Sequence, residues 1–196
     1  MGSETLPPAA LLLAPGAGAD SSQAQLVAID EAVSALGWVV TRMDFPYRLA
    51  GRRAPDRPPV LLEAVRDAAA SLAERSGVPA DRIVLGGRSM GGRICSLAVA
   101  GGLPAAGLVL VSYPLHPPGR LDKQAERTAH FPSLRIPCLF VSGTRDSFGS
   151  RDELEEATRA IPGPVQHLWI EGGDHALRGR NVPVAGGIMS ATGSFL

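Results

Sequence analysis

Arg82-Ile-Val-Leu-Gly-Gly-Arg-Ser-Met-Gly-Gly-Arg93 runs from an apolar segment (Ile83, Val84, Leu85) through a glycine-flanked serine into the small apolar run Ile94–Ala100. That pattern reads as strand, abrupt turn, helix. Ser89 sits at the turn, with Gly87 two positions before it and Gly91 two after. The spacing has a steric cause. A residue forced into a strained conformation between strand and helix projects its side chain outward, and only very small residues fit beside it. The hydroxyl is then presented at the positive end of a helix, next to backbone N–H groups able to hold an oxyanion. In a chain with 23 glycines the pattern alone is weak evidence, so the surrounding sequence must decide its meaning.

The rest of the chain alternates in the same way. Apolar runs bounded by turn residues recur at Ala10–Ala14, Trp38–Met43, Ile83–Leu85, Gly107–Val111, Cys138–Val141 and Val165–Ile170. Most are continuously apolar, as in strands covered on both faces of a parallel sheet. Helical patterns lie between them. Asp20-Ser-Ser-Gln23 reads as a capping box opening a helix with apolar positions Val27, Ala28 and Leu36 and a stop at Gly37. Val60–Ser76 has helical spacing closed by Gly77, and Ser150-Arg-Asp-Glu153 is a second capping box whose helix ends before Pro162-Gly-Pro164. A short polar helix is expected near Asp122–Thr128. The fold class this specifies is α/β: a doubly wound, mostly parallel six-stranded sheet with helices on both faces. At 196 residues, with no repeat or low-complexity linker, residues 1–196 are expected to form one domain.

Composition excludes several classes. Formal net charge is zero and charged residues are 19%, which argues against nucleic acid or an anionic membrane as partner. The apolar run Ala9–Ala14 is too short for a signal or a membrane span, and Leu6 stands where a myristoylation signal needs Ser or Thr. A cytoplasmic protein is expected. Cys95 and Cys138 lie in apolar company and read as buried free thiols. No Cys/His cluster has metal-ligand spacing, so no metal is expected.

In an open α/β sheet the site forms outside the carboxyl ends of the strands. After the first strand comes Pro15-Gly-Ala-Gly-Ala19, after the third Ser89, after the fifth Gly143-Thr-Arg-Asp146, and after the sixth Gly172-Gly-Asp-His175. A nucleophile, a carboxylate and an imidazole thus follow in the order Ser, Asp, His. Ser89 needs a base within hydrogen-bond reach, His175 can take that proton near neutral pH, and Asp146 would fix the imidazole tautomer. The N–H groups of Met90 and Ala17 are the expected oxyanion donors. Asp174 is adjacent to His175, so their side chains diverge, and Asp152 falls inside a helix. His167 lies mid-strand, a packing or surface position, and His130 shows no partner in sequence. A phosphate-binding loop is disfavoured because Gly86–Gly92 lacks the Lys-Ser/Thr of a P-loop and the G-x-G-x-x-G spacing.

Taken together, Leu12-Leu-Ala-Pro-Gly-Ala-Gly18, Arg42-Met-Asp-Phe-Pro-Tyr47, Gly87-Arg-Ser-Met-Gly-Gly-Arg93, Tyr113-Pro-Leu-His-Pro-Pro-Gly119, Gly143-Thr-Arg-Asp146 and Gly173-Asp-His175 resemble the α/β-hydrolase superfamily. The resemblance is near the dienelactone hydrolase group and specifically to the KANL3/Tex30-like hydrolases. It implies a cofactor-free Ser-His-Asp hydrolase core with Ser89, Asp146 and His175 at the triad positions. Relatives regarded as scaffolds keep open an alternative, a catalytically idle fold serving as a protein-interaction module. Two departures stand out. The first antiparallel hairpin of the full superfamily fold is expected to be missing, and Pro15-Gly-Ala-Gly replaces the His-Gly-x-Gly common in relatives.

The expected reaction is cleavage of a carboxylic ester or thioester through an acyl-enzyme. Because the connection from Val111 to Cys138 is short, no large lid fits and the site should be shallow or open. Arg88, His116 and Tyr47 are candidate substrate contacts. Arg88 suits either a substrate carboxylate, as a bidentate donor, or a structural ion pair with a neighbouring loop. Arg88 and Arg93 are the first places to look for substrate preference. The loop Phe45–Pro59, with Arg48, Arg52, Arg53 and Arg57, reads as a rigid solvated loop in preference to an anion-attracting gate. Asn181–Leu196 has no strong helical period, and an incompletely covered sheet edge there leaves a homodimer open.

Overall fold

The computed structural model describes residues 10–177. Strand β1 (Ala10–Ala14) leads into helix α1 (Ala24–Ser34), followed by β2 (Val39–Arg42), α2 (Pro46–Leu49) and α3 (Pro58–Ser76). Next come β3 (Ile83–Arg88), α4 (Met90–Ala100) and β4 (Gly107–Val111). The chain continues with α5 (Gln124–Thr128), β5 (Cys138–Gly143), α6 (Arg151–Thr158) and β6 (Val165–Ile170). The strands form one six-stranded sheet in the order β2-β1-β3-β4-β5-β6, and every pairing is parallel. The expected sequence segment Asn181–Leu196 lies outside the described residues.

Period-two alternation explains why the central strands are apolar throughout. Leu11, Leu13, Val84, Val109, Val111, Leu139 and Val141 pack against Leu26, Ile29 and Val33 of α1. Ala10, Leu12, Ile83, Leu85, Leu108, Leu110 and Phe140 point the other way, into a core shared with α3, α4 and Leu154 of α6. Both faces are covered, so neither half of the alternation can be polar. Apart from Arg88 at the end of β3, only the outermost strands, β2 and β6, keep partly exposed positions.

Helix α3 illustrates how local signals and packing agree. Pro58 and Pro59 occupy its first turn, where an N–H has no helical acceptor, and Gly77 closes it at φ 69°. Leu61, Val65, Ala69 and Leu72 recur at helical spacing and are the buried stripe. Burying each large side chain contributes about 1.5–3 kcal/mol, so a charge at Val65 would unseat the helix from β1 and β3. The Ser150–Glu153 capping box is present in full, with the Glu153 N–H donating to Ser150 Oγ and the Ser150 N–H to Glu153.

The first capping box does not form. Helix α1 begins at Ala24, with Gln23 as an N-cap that makes no side-chain cap bond. The Asp20 carboxylate instead accepts from Ser22 and pairs with Arg48 at 3.1 Å. These bonds hold it outside the helix. The buried positions of α1 are Leu26, Ile29 and Val33 rather than Val27 and Ala28, and the helix stops before Leu36 and Gly37. Within Phe45–Pro59, Phe45 at the N-cap of α2 and Tyr47 within it are completely buried, while Arg48 and Arg52 are ion-paired to Asp20 and Asp56. Those pairs fit the rigid-loop reading.

Candidate active site

Strand β3 ends at Arg88, and Ser89 turns the chain into α4 at φ 50°, ψ −115°. This is a positive φ that a residue with a Cβ rarely adopts. Three contacts enforce it. The Ser89 N–H donates to the Val111 carbonyl at 2.8 Å, tying the turn to the end of β4. A Cβ at Gly87 or at Gly91 would strike the Ala14 carbonyl, so these two glycines let β1 press directly against the turn. The close approach brings Pro15–Ala19 beside Ser89. Gly16 N–H donates to Gln23 Oε1 (3.0 Å) and Gly18 N–H to Tyr47 Oη (3.1 Å), which pins that loop from behind.

The exits of β5 and β6 are stitched together. Thr144 N–H donates to the Ile170 carbonyl at 3.1 Å and Arg145 N–H to the Gly173 carbonyl at 2.9 Å. Gly143 packs so closely on Gly173 that no side chain fits between them. His175 is held from two further sides: Arg88 Nη2 donates to its carbonyl (2.8 Å), and Gln25 Nε2 donates to the Ala176 carbonyl (2.5 Å).

This scaffold brings Ser89, His175 and Asp146 together. His175 Nε2 lies 3.0 Å from Ser89 Oγ, and Nδ1 lies 3.0 and 2.9 Å from the two Asp146 oxygens. Because a carboxylate only accepts, Nδ1 carries the proton and Nε2 is left to accept from the Ser89 hydroxyl. Asp146 also accepts from the Phe148 N–H at 2.8 Å, and its side chain is only 2% exposed. The Phe148 ring stacks on the imidazole at 3.9 Å between centroids. An activated hydroxyl, an oriented imidazole and a buried anion in this sequence can carry out general-base-assisted attack on a carbonyl.

Ser89 opens into a cavity of about 250 Å³, lined by Ala17, Met90, Arg93, Pro114, Arg127 and Phe148 as well. Among the described residues neither the Ala17 nor the Met90 N–H donates to a protein acceptor. Both residues line the cavity with Ser89.

The three expected substrate contacts are placed elsewhere. Tyr47 is fully buried under the β1 loop, where its hydroxyl serves Gly18. His116 is 5% exposed, with its Nδ1–H donating to the Pro117 carbonyl (2.9 Å) and Nε2 3.5 Å from Glu153. It joins the β4 exit loop to the start of α6. Arg88 points away from the cavity toward the His175 carbonyl, occupying the space beside Gly16. Its role there is to brace the histidine loop. Conversely, the cavity includes Arg127, Pro114 and Phe148, which sequence reasoning passed over. Phe148 had one readable signal, its place two residues after Asp146. Arg127 had none beyond lying in the polar helix after β4.

The remaining candidates fall into structural roles. Asp174 Oδ1 accepts from Ala176 N–H and caps a turn, and Asp152 lies in the first turn of α6. His167 bonds Thr158 and stacks on Trp169. His130 does have a partner, Ser96 Oγ at 2.8 Å. Since that hydroxyl donates to the Arg93 carbonyl, His130 Nε2–H is the donor. Burial, and then the Arg93 charge, push the His130 pKa down to about 4.

A parallel doubly wound sheet with serine, histidine and aspartate meeting at its carboxyl edge is the arrangement of the α/β-hydrolase class. The sequence matches the alpha/beta hydrolase domain family over residues 7–183, and the chain belongs to that family. Solved structures of the same fold include an alpha-beta serine hydrolase homologue from Coxiella burnetii (18% identity, 93% of this chain and 84% of that one, TM-score 0.74). Est1E from Butyrivibrio proteoclasticus is similar at 13% identity over 96% and 88% of the two chains, with a TM-score of 0.76. Dienelactone hydrolase from Anabaena variabilis is similar at 14% over 94% and 84%, with a TM-score of 0.71. Among the described residues no helix is long and apolar enough to cross a membrane.

Proposed function

We propose that this chain is a serine hydrolase that cleaves carboxylic esters or thioesters through an acyl-enzyme. The observation that carries the reading is the hydrogen-bond chain from Ser89 Oγ through His175 to the buried Asp146. Ser89 Oγ attacks the carbonyl carbon while its proton passes to His175 Nε2. The carbonyl oxygen becomes an oxyanion facing the Met90 and Ala17 N–H groups. Collapse expels the alcohol or thiol, which takes the proton from the imidazolium. A water molecule then attacks the acyl-enzyme with His175 again as base, releasing the acid and restoring Ser89.

Asp146 has two tasks in this scheme: it holds the Nδ1–H tautomer and offsets the imidazolium charge that forms in each half-reaction. Loss of one oxyanion donor typically costs about 3–4 kcal/mol of transition-state stabilisation, so both N–H groups matter. Within the family, kinship to the dienelactone-hydrolase-like and KANL3/Tex30-like groups fits this chemistry. Cys95 and Cys138 are buried free thiols, in keeping with a reducing, cytoplasmic setting. The test is a panel of 4-nitrophenyl esters and short-chain thioesters with Ser89→Ala as control. Turnover by wild type that disappears in the variant supports the reading. No turnover of any member by folded wild-type protein refutes it and favours the idle interaction fold.

A further inference from the structure

Two guanidinium groups line the cavity beside Ser89, and among the described residues neither is ion-paired. Arg93 and Arg127 both line that cavity. Among the described residues no carboxylate lies within ion-pair distance of either one. Among the described residues Arg93 Nε is buried without an acceptor, and the Arg127 guanidinium donates to the Pro114 carbonyl at 3.1 Å. Burial first, and the Arg93 charge second, lower the Arg127 pKa, against smaller opposing effects of Tyr113 and then of Glu126, which pairs with exposed Lys123.

Holding two like charges at one small cavity is unfavourable unless an anion is meant to sit between them. We propose that Arg93 and Arg127 form an anion subsite, and that the ester or thioester cleaved at Ser89 carries a carboxylate a few bonds from the scissile carbonyl. This deepens the hydrolase reading and rests on it for the identity of the reacting bond. Arg93 lies in the first turn of α4, its N–H bonded to the Ser89 carbonyl at 3.1 Å, and both residues line the same cavity. The cavity, about 250 Å³, suits a short acyl chain. A planar guanidinium fork matches a carboxylate edge-on, which a lysine would not.

The test has two arms. Monoethyl glutarate and ethyl pentanoate, similar in size and differing in charge, are compared by proton release at low and high salt. Wild type is expected to favour the anionic ester, with the preference shrinking as salt rises. The ratio of kcat/KM values should fall ~10–100-fold in Arg93→Gln and in Arg127→Gln, the loss of a charged hydrogen bond. Arg93→Lys should retain part of it. Equal losses on both esters, or no preference in wild type, would overturn the subsite. In the second arm, calorimetry measures monoethyl glutarate binding to Ser89→Ala, which needs no turnover. Binding that weakens on adding Arg93→Gln supports the subsite even if hydrolysis fails, whereas absence of binding at millimolar ligand overturns it independently of the hydrolase reading.

Discussion

Asp146→Asn separates an orienting carboxylate from a merely structural one. Phe148 N–H donates to Asp146 Oδ1 at 2.8 Å, so an asparagine keeping that bond puts its amide nitrogen at the Oδ2 position, 2.9 Å from His175 Nδ1, where it competes with the Oδ1 acceptor at 3.0 Å and favours the other tautomer. In that tautomer Nε2–H donates to Ser89 Oγ across the 3.0 Å contact, and no lone pair is left there to take the hydroxyl proton. Flipping the amide restores the tautomer but orphans the part-buried Phe148 N–H, at a cost of about 1–3 kcal/mol. Loss of the charge beside the imidazolium removes a further 1.5–3 kcal/mol or so, the worth of a charged hydrogen bond. Together these give about 3–6 kcal/mol, or ~10²–10⁴-fold in kcat/KM at about 1.36 kcal/mol per tenfold. Initial rates on 4-nitrophenyl acetate, with a thermal melt to check folding, measure it. Asp174→Asn is the control, because Asp174 caps its own turn. A loss smaller than about tenfold for Asp146→Asn, or an equal loss for Asp174→Asn, would refute the assignment.

Three further outcomes follow from packing and charge. Gly91→Ala drives a methyl into the Ala14 carbonyl and should destabilise by about 1–3 kcal/mol, lowering Tm by roughly 3–10 °C on this size of chain; an unchanged Tm would show that β1 gives way freely. Burial pushes the Cys95 and Cys138 thiols up to about 12, so the native protein should resist a thiol-reactive disulfide reagent that labels both after denaturation, and prompt native labelling would contradict their burial. His130, held down to about 4 in the fold against about 6.5 unfolded, binds its proton more readily when unfolded. Stability should therefore be full above pH 6.5 and fall as pH drops through the window to about 4. The loss is about 1–2 kcal/mol after discounting for partial exposure, and it should be missing from the urea titrations of His130→Gln.

The fold was legible because the chain's strongest periodicities coincide with its topology. Continuous apolar runs marked strands covered on both faces, and Pro58, Gly77 and the Ser150–Glu153 box marked helix ends by purely local chemistry. Ser89, Asp146 and His175 could be singled out together because each directly follows a strand, and parallel register aligns those ends. Asp20 misled because its local capping signal competes with a tertiary bond to Arg48. Tyr47, His116 and Arg88 share a different lesson. All three lie in strand-end loops, yet the side chains turn toward Gly18, Pro117 and the His175 carbonyl. Side-chain direction in a loop depends on neighbours distant in sequence. For the same reason Arg127 at the cavity could not be foreseen, while Arg93 could, being one helical turn beyond Ser89.

The central claim is that Ser89 is an activated nucleophile, and covalent labelling tests it without knowledge of the substrate. Folded wild-type protein treated with a fluorophosphonate should gain one adduct, mapped by peptide mass to Ser89, and Ser89→Ala should gain none. Folded wild-type protein that stays unmodified, or an adduct that persists in Ser89→Ala, would contradict it.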